Sequence, residues 1–155
     1  MKEIFLDLLP EEYPLPDAPA FRRRQVAEWV FRKRVTSFDA MTSLPAPCRA
    51  ALGARFTLAA LELVRSQGSR DSTRKFLWRL NDGALVESVL IPASPALYGE
   101  ASDRLTLCVS TQVGCAYGCR FCASGLGGFR RDLSPGEIVA QVMAAETASD
   151  RKSVV

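Results

Sequence analysis

The chain has 155 residues, of which 48% are hydrophobic and 24% charged, a composition typical of a folded globular protein and not of a disordered one. Histidine is absent, which excludes Ser-His-Asp and Cys-His catalysis and histidine-ligated zinc within these residues. No apolar run approaches the length of about 18 residues that spans a membrane. The net charge is only +3, but the basic residues are clustered, which favours a polyanion such as nucleic acid as partner; solvated helix and strand faces would give the same pattern.

The first part of the chain, residues 1–64, is predicted to be a small helical domain with a basic face. Apolar residues recur at helical spacing over residues 21–35, where six basic residues stand against one acidic residue. A second helix is predicted to begin near Ser43, which would cap it, with Pro45 in the first turn. A short apolar stretch, residues 58–64, leads out of this helical part.

The middle of the chain is predicted to form a β-hairpin. Residues 74–80 and 85–92 are both rich in β-prone side chains, and the turn sequence Asn81-Asp82-Gly83 separates them. A loop with several prolines follows, and we place a domain boundary at its end, residue 103.

After this loop the chain is predicted to follow the order strand, loop, helix, which is the first unit of an α/β fold. Residues 105–110 form the strand, residues 112–131 a loop rich in cysteine and glycine, and a capping box at residues 134–137 opens an amphipathic helix. Residues 154–155 would begin a second strand. Because a buried parallel strand needs neighbours, we expect the chain to be a fragment of a larger α/β protein.

Three closely spaced cysteines are the strongest signal in the sequence. Cys115, Cys119 and Cys122 have the spacing C-x-x-x-C-x-x-C in one loop, as expected of thiolates that converge on a metal. Three ligands on a four-iron cluster would leave one iron open to a substrate or cofactor. Cys108 or Cys48 could supply a fourth ligand, so zinc and a plain electron-transfer cluster stay open as alternatives.

The C-x-x-x-C-x-aromatic-C pattern after a strand resembles the radical S-adenosylmethionine superfamily. The surrounding residues resemble one branch of it, the RlmN/Cfr family of RNA adenine methyltransferases. The similar runs are residues 24–29, 38–45, 86–92, 106–115, 121–125, 128–133 and 136–142. The resemblance therefore covers residues 21–142, most of the chain.

The resemblance implies an α/β protein with three segments. Residues 1–64 would be a helical accessory RNA-binding domain, residues 65–103 a β-hairpin and linker, and residues 104–155 the first strand, loop and helix of a truncated partial (β/α) barrel. It also implies methylation of carbon 2 of an adenosine in 23S rRNA, and of tRNA, through a methyl-cysteine intermediate; carbon 8 stays open as an alternative.

The implied cofactors are a [4Fe-4S] cluster and S-adenosylmethionine, with an external one-electron reductant, and we expect a monomer in the cytoplasm without a membrane partner. The acidic N-terminal residues do not resemble a secretory signal, so the five cysteines are expected to be thiols or metal ligands and not disulfides.

The competing interpretation is a zinc- or cluster-stabilised RNA-binding module without catalysis. With one strand and helix of the barrel present, we expect the 155 residues alone to be inactive.

By the same resemblance, Cys115, Cys119 and Cys122 ligate the cluster and Phe121 lies beside the cofactor. Cys108 would form a transient disulfide with a methyl-carrying cysteine located beyond residue 155; otherwise it would be a small buried strand residue. The implied RNA-binding residues are Arg22, Arg23, Arg24, Arg32, Lys33 and Arg34.

Glu87 corresponds to the carboxylate that removes the adenine proton. It shares a strand face with Leu85, Val89 and Ile91, and a carboxylate on an apolar face is expected to bind its proton more tightly, which suits a base working near neutral pH. The alternative is an exposed glutamate on an edge strand.

Overall fold

The computed structural model describes residues 2–15, 19–68, 73–93 and 104–148 of the chain. These residues divide into two units between Ala60 and Leu61, and Pro135–Glu137 group with the first unit. The predicted strand at residues 154–155 and most of the predicted linker lie outside the described residues. In the described part of the chain, no helix is long and apolar enough to cross a membrane.

The described elements mix short helices with three small sheets. The helices are α1 (Phe21–Ala27), α2 (Ala46–Arg55) and α3 (Pro135–Ala148). The strands are β1 (Glu3–Ile4), β2 (Phe56–Thr57), β3 (Leu61–Gln67), β4 (Arg74–Leu80), β5 (Leu85–Pro92), β6 (Leu105–Cys108), β7 (Gln112–Val113) and β8 (Arg131–Asp132).

The first unit contains both helices predicted in this part of the chain. α1 continues through a π-helical turn, Glu28–Arg32, and the helical path ends before Arg34, whose φ of 54° lies in the left-handed region. Val26 and Val30, one turn apart, are both fully buried. The predicted helix over residues 21–35 is therefore confirmed, with an end three residues earlier.

The start of α2 differs from its prediction. Its N-terminal cap position is Pro45, and no side chain caps the helix. Ser43 has another role, because its hydroxyl accepts a hydrogen bond from Trp29 Nε1 at 2.8 Å and its carbonyl accepts one from Arg22 Nη1 at 2.8 Å. The predicted Ser43 cap is wrong, since this serine is used to tie the preceding loop to α1.

The core of the first unit is built around Phe5, which is fully buried. Its ring contacts three other aromatic rings: Tyr13 at 4.6 Å, Phe38 at 5.2 Å and Phe56 at 5.5 Å between centroids. Residues at both ends of the unit therefore meet in one aromatic cluster.

The second unit is organised by a four-stranded antiparallel sheet with the order β3-β4-β5-β6. The β4–β5 hairpin is confirmed, and Gly83 takes the positive φ of 83° that its turn requires. Residues 58–64 were expected to leave the helical part as an extension of it, but from Leu61 onward they belong to the edge strand β3. A domain boundary was predicted between the hairpin and the strand at residues 105–110. In the structure this strand, β6, pairs with β5 in the same sheet and ends at Cys108.

The two faces of this sheet have different surroundings. One face buries Phe76, Trp78, Val86 and Leu90 in a core that also contains Ala145 of α3. The other face is more exposed. It carries Lys75, Leu77, Glu87, Val89 and Cys108, which the strand register places on the same side. We refer to it as the open sheet face.

Candidate functional site

The cysteine-rich loop, residues 114–130, leaves from β7 and returns at β8. The two strands pair antiparallel, and the Arg130 amide donates to the Val113 carbonyl at 2.9 Å. Gly114 has a φ of 74°, and a Cβ atom built on it would lie 1.8 Å from the Gly128 carbonyl oxygen. Only glycine fits here, because the two ends of the loop touch backbone to backbone.

A second contact holds the base of this loop. Nε and Nη2 of Arg131 both donate to Oδ2 of Asp82, at 3.0 and 2.8 Å, and so attach β8 to the hairpin turn. The Ala84 amide donates to Oδ1 of Asp82 at 2.9 Å. The amide of Ala84 and then the guanidinium of Arg131 hold the pKa of Asp82 below its ordinary value. From the sequence, Asp82 was predicted only as a turn residue, because its partner Arg131 lies 49 positions away.

The structure places the three predicted cluster ligands on this loop. Cys119 is exposed, Cys115 and Cys122 are partly exposed, and the Cys122 amide donates to the Cys119 carbonyl at 3.1 Å. The amide and the hydroxyl of Ser124, and to a smaller extent the amide of Gly125, lower the pKa of the Cys122 thiol. The Gly125 amide also donates to the Cys122 carbonyl at 3.2 Å.

The chemistry of these donors fits an iron–sulfur cluster, for which thiolates are the usual ligands. Hydrogen bonds to a ligating sulfur are also a normal feature of such centres. Among the residues that the structure describes, no three cysteine, aspartate or glutamate side chains lie close enough together to hold a metal ion. The loop therefore carries all three sulfur donors on one segment of the chain.

The aromatic residue of the motif is almost fully exposed. Phe121 has 93% of its surface accessible, and Tyr117 and Leu126 on the same loop are nearly as open. Phe121 therefore does not pack the loop, and its ring is accessible beside Cys122.

Glu87 and Cys108 both lie on the open sheet face. The Glu87 carboxylate is about half exposed and forms an ion pair with Lys75 Nζ at 2.9 Å. Cys108 is exposed at the end of β6, opposite Val89, so its alternative as a buried strand residue is wrong. Glu87 and Cys108 are diagonal neighbours on adjacent strands, for which Cα atoms are about 7–8 Å apart.

The apolar surroundings expected for Glu87 are wrong. Leu85 and Ile91 on its face are substantially exposed, whereas the alternate residues Val86 and Leu90 are buried. Both faces of β5 are largely apolar in sequence, so alternation alone did not identify the face that packs into the core. Lys75, which is opposite Val89 and therefore a diagonal neighbour of Glu87, was missed as the partner of Glu87 because the strand register decides which cation lies within reach.

The six cations proposed for RNA contact have different environments within the first unit. Arg24, Arg32 and Lys33 are exposed, while Arg22, Arg23 and Arg34 are partly buried. Arg22 also donates to Gln25 Oε1 at 2.9 Å, and Lys33 Nζ lies 3.5 Å from the centroid of the Trp29 ring. Lys33 therefore lies over one face of the Trp29 ring, and Trp29 itself is partly buried.

Comparisons with known proteins identify sequences and a structure to which this chain is similar. Residues 16–58 match the model of the ribosomal RNA large subunit methyltransferase N-terminal domain. The chain is 54% identical over 132 residues to an RlmN protein of Akkermansia muciniphila, covering 85% of this chain and 37% of that relative. It is 44% identical over 143 residues to the dual-specificity RNA methyltransferase RlmN of Campylobacter fetus, covering 89% of this chain and 40% of that relative.

A solved structure has the same fold over nearly the whole chain. The crystal structure of a radical SAM methyltransferase from Sphaerobacter thermophilus superposes with a TM-score of 0.79 at 41% identity, covering 95% of this chain and 42% of that one. The chain thus spans about two fifths of the length of the proteins it matches. The matching domain, the level of identity and the shared fold together show that the chain is an N-terminal region of the RlmN family.

Proposed function

We propose that a protein of its relatives' length carrying this sequence is a radical S-adenosylmethionine enzyme that methylates carbon 2 of an adenosine in 23S rRNA and in tRNA. The observation that carries the proposal is the loop bearing Cys115, Cys119 and Cys122. It lies in a chain 41% identical to a radical SAM methyltransferase and 54% identical to an RlmN protein. Because the chain spans about two fifths of such proteins, we propose the activity for the longer protein and not for these residues alone.

Cys115, Cys119 and Cys122 are the residues that would hold a [4Fe-4S] cluster, with S-adenosylmethionine at the remaining iron. Bound together, these groups supply the one-electron chemistry that an electron-poor amidine carbon requires, since that carbon cannot attack a methylsulfonium. The amides of Ser124 and Gly125 favour the thiolate form of Cys122. Phe121 exposes its ring beside this ligand, where it can contact the adenine of the cofactor.

Glu87 is the residue that we propose accepts the proton lost from carbon 2 of the adenine. Its carboxylate is accessible on the open sheet face, as a group that meets a base inserted from outside must be. The ammonium group of Lys75, 2.9 Å away, limits the positions that this carboxylate adopts.

Cys108 is proposed to release the methylated adenosine. Its thiolate would attack the sulfur of the methyl-carrying cysteine of the family, so that a disulfide forms while the bond from that sulfur to the transferred carbon breaks. The electron pair of the broken bond stays with the transferred carbon, which takes up a proton and becomes the methyl group on carbon 2 of the adenine. The exposed position of Cys108, next to Glu87 on the sheet, supports this assignment.

The first unit is proposed to bind the RNA substrate. Arg24, Arg32 and Lys33 are exposed and suit contacts with phosphates, whereas Arg22 also shapes the unit through its bonds to neighbouring residues. The RNA substrates and the external one-electron reductant place the reaction in the cytoplasm.

Mass spectrometry of nucleosides from 23S rRNA and tRNA tests the proposal. The full-length protein is incubated anaerobically with RNA, S-adenosylmethionine and a one-electron reductant. We expect 2-methyladenosine with the wild-type protein and with the Cys48→Ala control. Glu87→Gln and Cys108→Ala should lose turnover while keeping the iron content of the wild type. Formation of 8-methyladenosine, or stoichiometric zinc without any methylated product, would contradict the proposal.

A further inference from the structure

A buried polar network connects β4, β5, α3 and the segment that follows β6 within the second unit. Trp78 Nε1 donates to the Ser88 hydroxyl at 3.1 Å, and this hydroxyl donates to Gln141 Oε1 at 2.8 Å. Ser88 and Gln141 are both fully buried, and Trp78 is 2% exposed. A buried polar group costs stability unless it is hydrogen-bonded, so each member of this network depends on the others.

Gln141 also makes two hydrogen bonds to the backbone of Ser110. The Ser110 amide donates to Gln141 Oε1 at 2.9 Å, and Gln141 Nε2 donates to the Ser110 carbonyl at 2.9 Å. This pair of bonds resembles what a neighbouring strand provides. Ser110 lies two residues after β6 and two before β7, between the sheet and the cysteine-rich loop.

Ser110 extends the connection to Glu87. The β5–β6 pairing ends at Val89 and Cys108, and beyond it the Ser110 hydroxyl donates to the Glu87 carbonyl at 2.7 Å. One side chain of α3 thus fixes the backbone from which two proposed functional elements extend. These are the strand segment that carries Glu87 and the chain that enters the cysteine-rich loop.

We propose that Gln141 is a positioning residue: through Ser110 it sets the backbone at Glu87 and the entry of the cysteine-rich loop. The relevance of this role for cluster binding rests on the function proposed above. An apolar residue of similar length could fill the space of Gln141, but it would leave the amide and carbonyl of Ser110 without these partners. Replacing Gln141 should therefore loosen the backbone around Ser110 more than a substitution elsewhere in the core that lowers the global stability by the same amount.

Amide hydrogen exchange of the full 155-residue chain tests this role without any cofactor. We compare Gln141→Met with Val86→Ala, which opens a cavity in the same core at a residue 5% exposed. At matched global stability, Gln141→Met should accelerate exchange at Ser110 by about tenfold over Val86→Ala, as expected when one or two hydrogen bonds are lost. Exchange at Arg130, whose amide bonds Val113 across the loop base, should rise as well.

A second variant keeps the test decisive if Gln141→Met does not fold. Ser88→Ala removes one donor to Gln141 but leaves both bonds to Ser110, so exchange at Ser110 should rise by a smaller factor, about threefold. Unchanged exchange at Ser110 in the folded variants, or acceleration at Ser110 without any at Arg130, would overturn the inference.

Iron uptake distinguishes a positioning role of Gln141 from a general contribution to stability. After anaerobic reconstitution, Gln141→Met should hold less than about half of the wild-type iron, while Val86→Ala of equal stability holds the wild-type amount. Equal iron content in the two variants would contradict the role of Gln141 in positioning the entry of the cysteine-rich loop. These iron measurements use the full-length protein: if its wild type binds no iron, the proposed function fails, whereas the exchange comparison still decides the role of Gln141.

Discussion

Substituting Gly114 by alanine should destabilise the second unit more than any other glycine substitution in the cysteine-rich loop. Real Cβ contacts are essentially never shorter than 3.0 Å, and the added atom would lie 1.8 Å from the Gly128 carbonyl, so the two backbones must separate by about 1.2 Å. That movement breaks the hydrogen bond from Arg130 to Val113, at about 1 kcal/mol. The positive φ adds about 1–2 kcal/mol, which gives a total of about 2–3 kcal/mol.

Two other glycines of the same loop separate these contributions. Gly118 has a positive φ of 59° with no atom within 4 Å of a built Cβ, so Gly118→Ala should cost only the conformational part, about 1–2 kcal/mol. Gly127 has neither feature, and Gly127→Ala should stay within about 0.5 kcal/mol of the wild type.

Urea denaturation followed by tryptophan fluorescence measures all three variants against the wild type. A domain has about 5–15 kcal/mol of stability in total, so a loss of about 2–3 kcal/mol shifts the midpoint clearly. Equal losses in Gly114→Ala and Gly118→Ala would refute the reasoning, because they would show that the two ends of the loop do not touch at Gly114.

Three further predictions follow from the ionisable and basic residues. Because the folded protein lowers the pKa of Asp82, the ionised carboxylate stabilises the fold at pH values above the ordinary pKa of 3.8. This stabilisation is lost as the pH falls through the lowered pKa. The urea midpoints at pH 5 and pH 2.5 should therefore differ less in Asp82→Asn than in the wild type. Burial raises the pKa of Tyr13 to about 12, so absorbance at 295 nm should show one tyrosine that titrates near pH 12 and is missing in Tyr13→Phe. The stabilisation that the neutral Tyr13 provides should decline as the pH rises from about 10 through 12. Replacing the exposed Arg24 or Arg32 by alanine should weaken RNA binding in filter-binding assays and lower the slope of log affinity against log salt by about one, with little change in stability.

The secondary-structure elements that are determined by neighbouring residues could be predicted from the sequence. The β4–β5 hairpin was predictable because Asn81-Asp82-Gly83 suits a tight turn between two β-prone runs, and Gly83 takes the required positive φ. α1 and α3 were predictable from helical spacing and from Pro135 in a first turn. The cysteine-rich loop was identified by spacing alone, since no other pattern places three thiols so closely.

The remaining features depend on contacts between distant positions. Val86 and Val89 are equally apolar, and only the core that packs on one side of β5 decides which of them is buried and which shares a face with Glu87. Ser43 had the sequence of a helix cap, but the Trp29 indole, 14 positions earlier, uses its hydroxyl. Gln141 appears in the sequence only as a polar residue in an amphipathic helix, because its partners are 31 and 53 positions away.

The most direct test of the account is the iron content of the full-length protein after anaerobic reconstitution with iron and sulfide, measured for the wild type and for the five single Cys→Ala variants of the cysteines described above. The account predicts about four irons per wild-type chain, with the electron paramagnetic resonance signal of a reduced four-iron cluster. Loss of that iron should follow substitution of Cys115, Cys119 or Cys122, while Cys48→Ala and Cys108→Ala keep it. Bound zinc in place of iron, or an equal loss of iron on substitution of Cys48 or Cys108, would contradict the assignment of the cluster to the cysteine-rich loop.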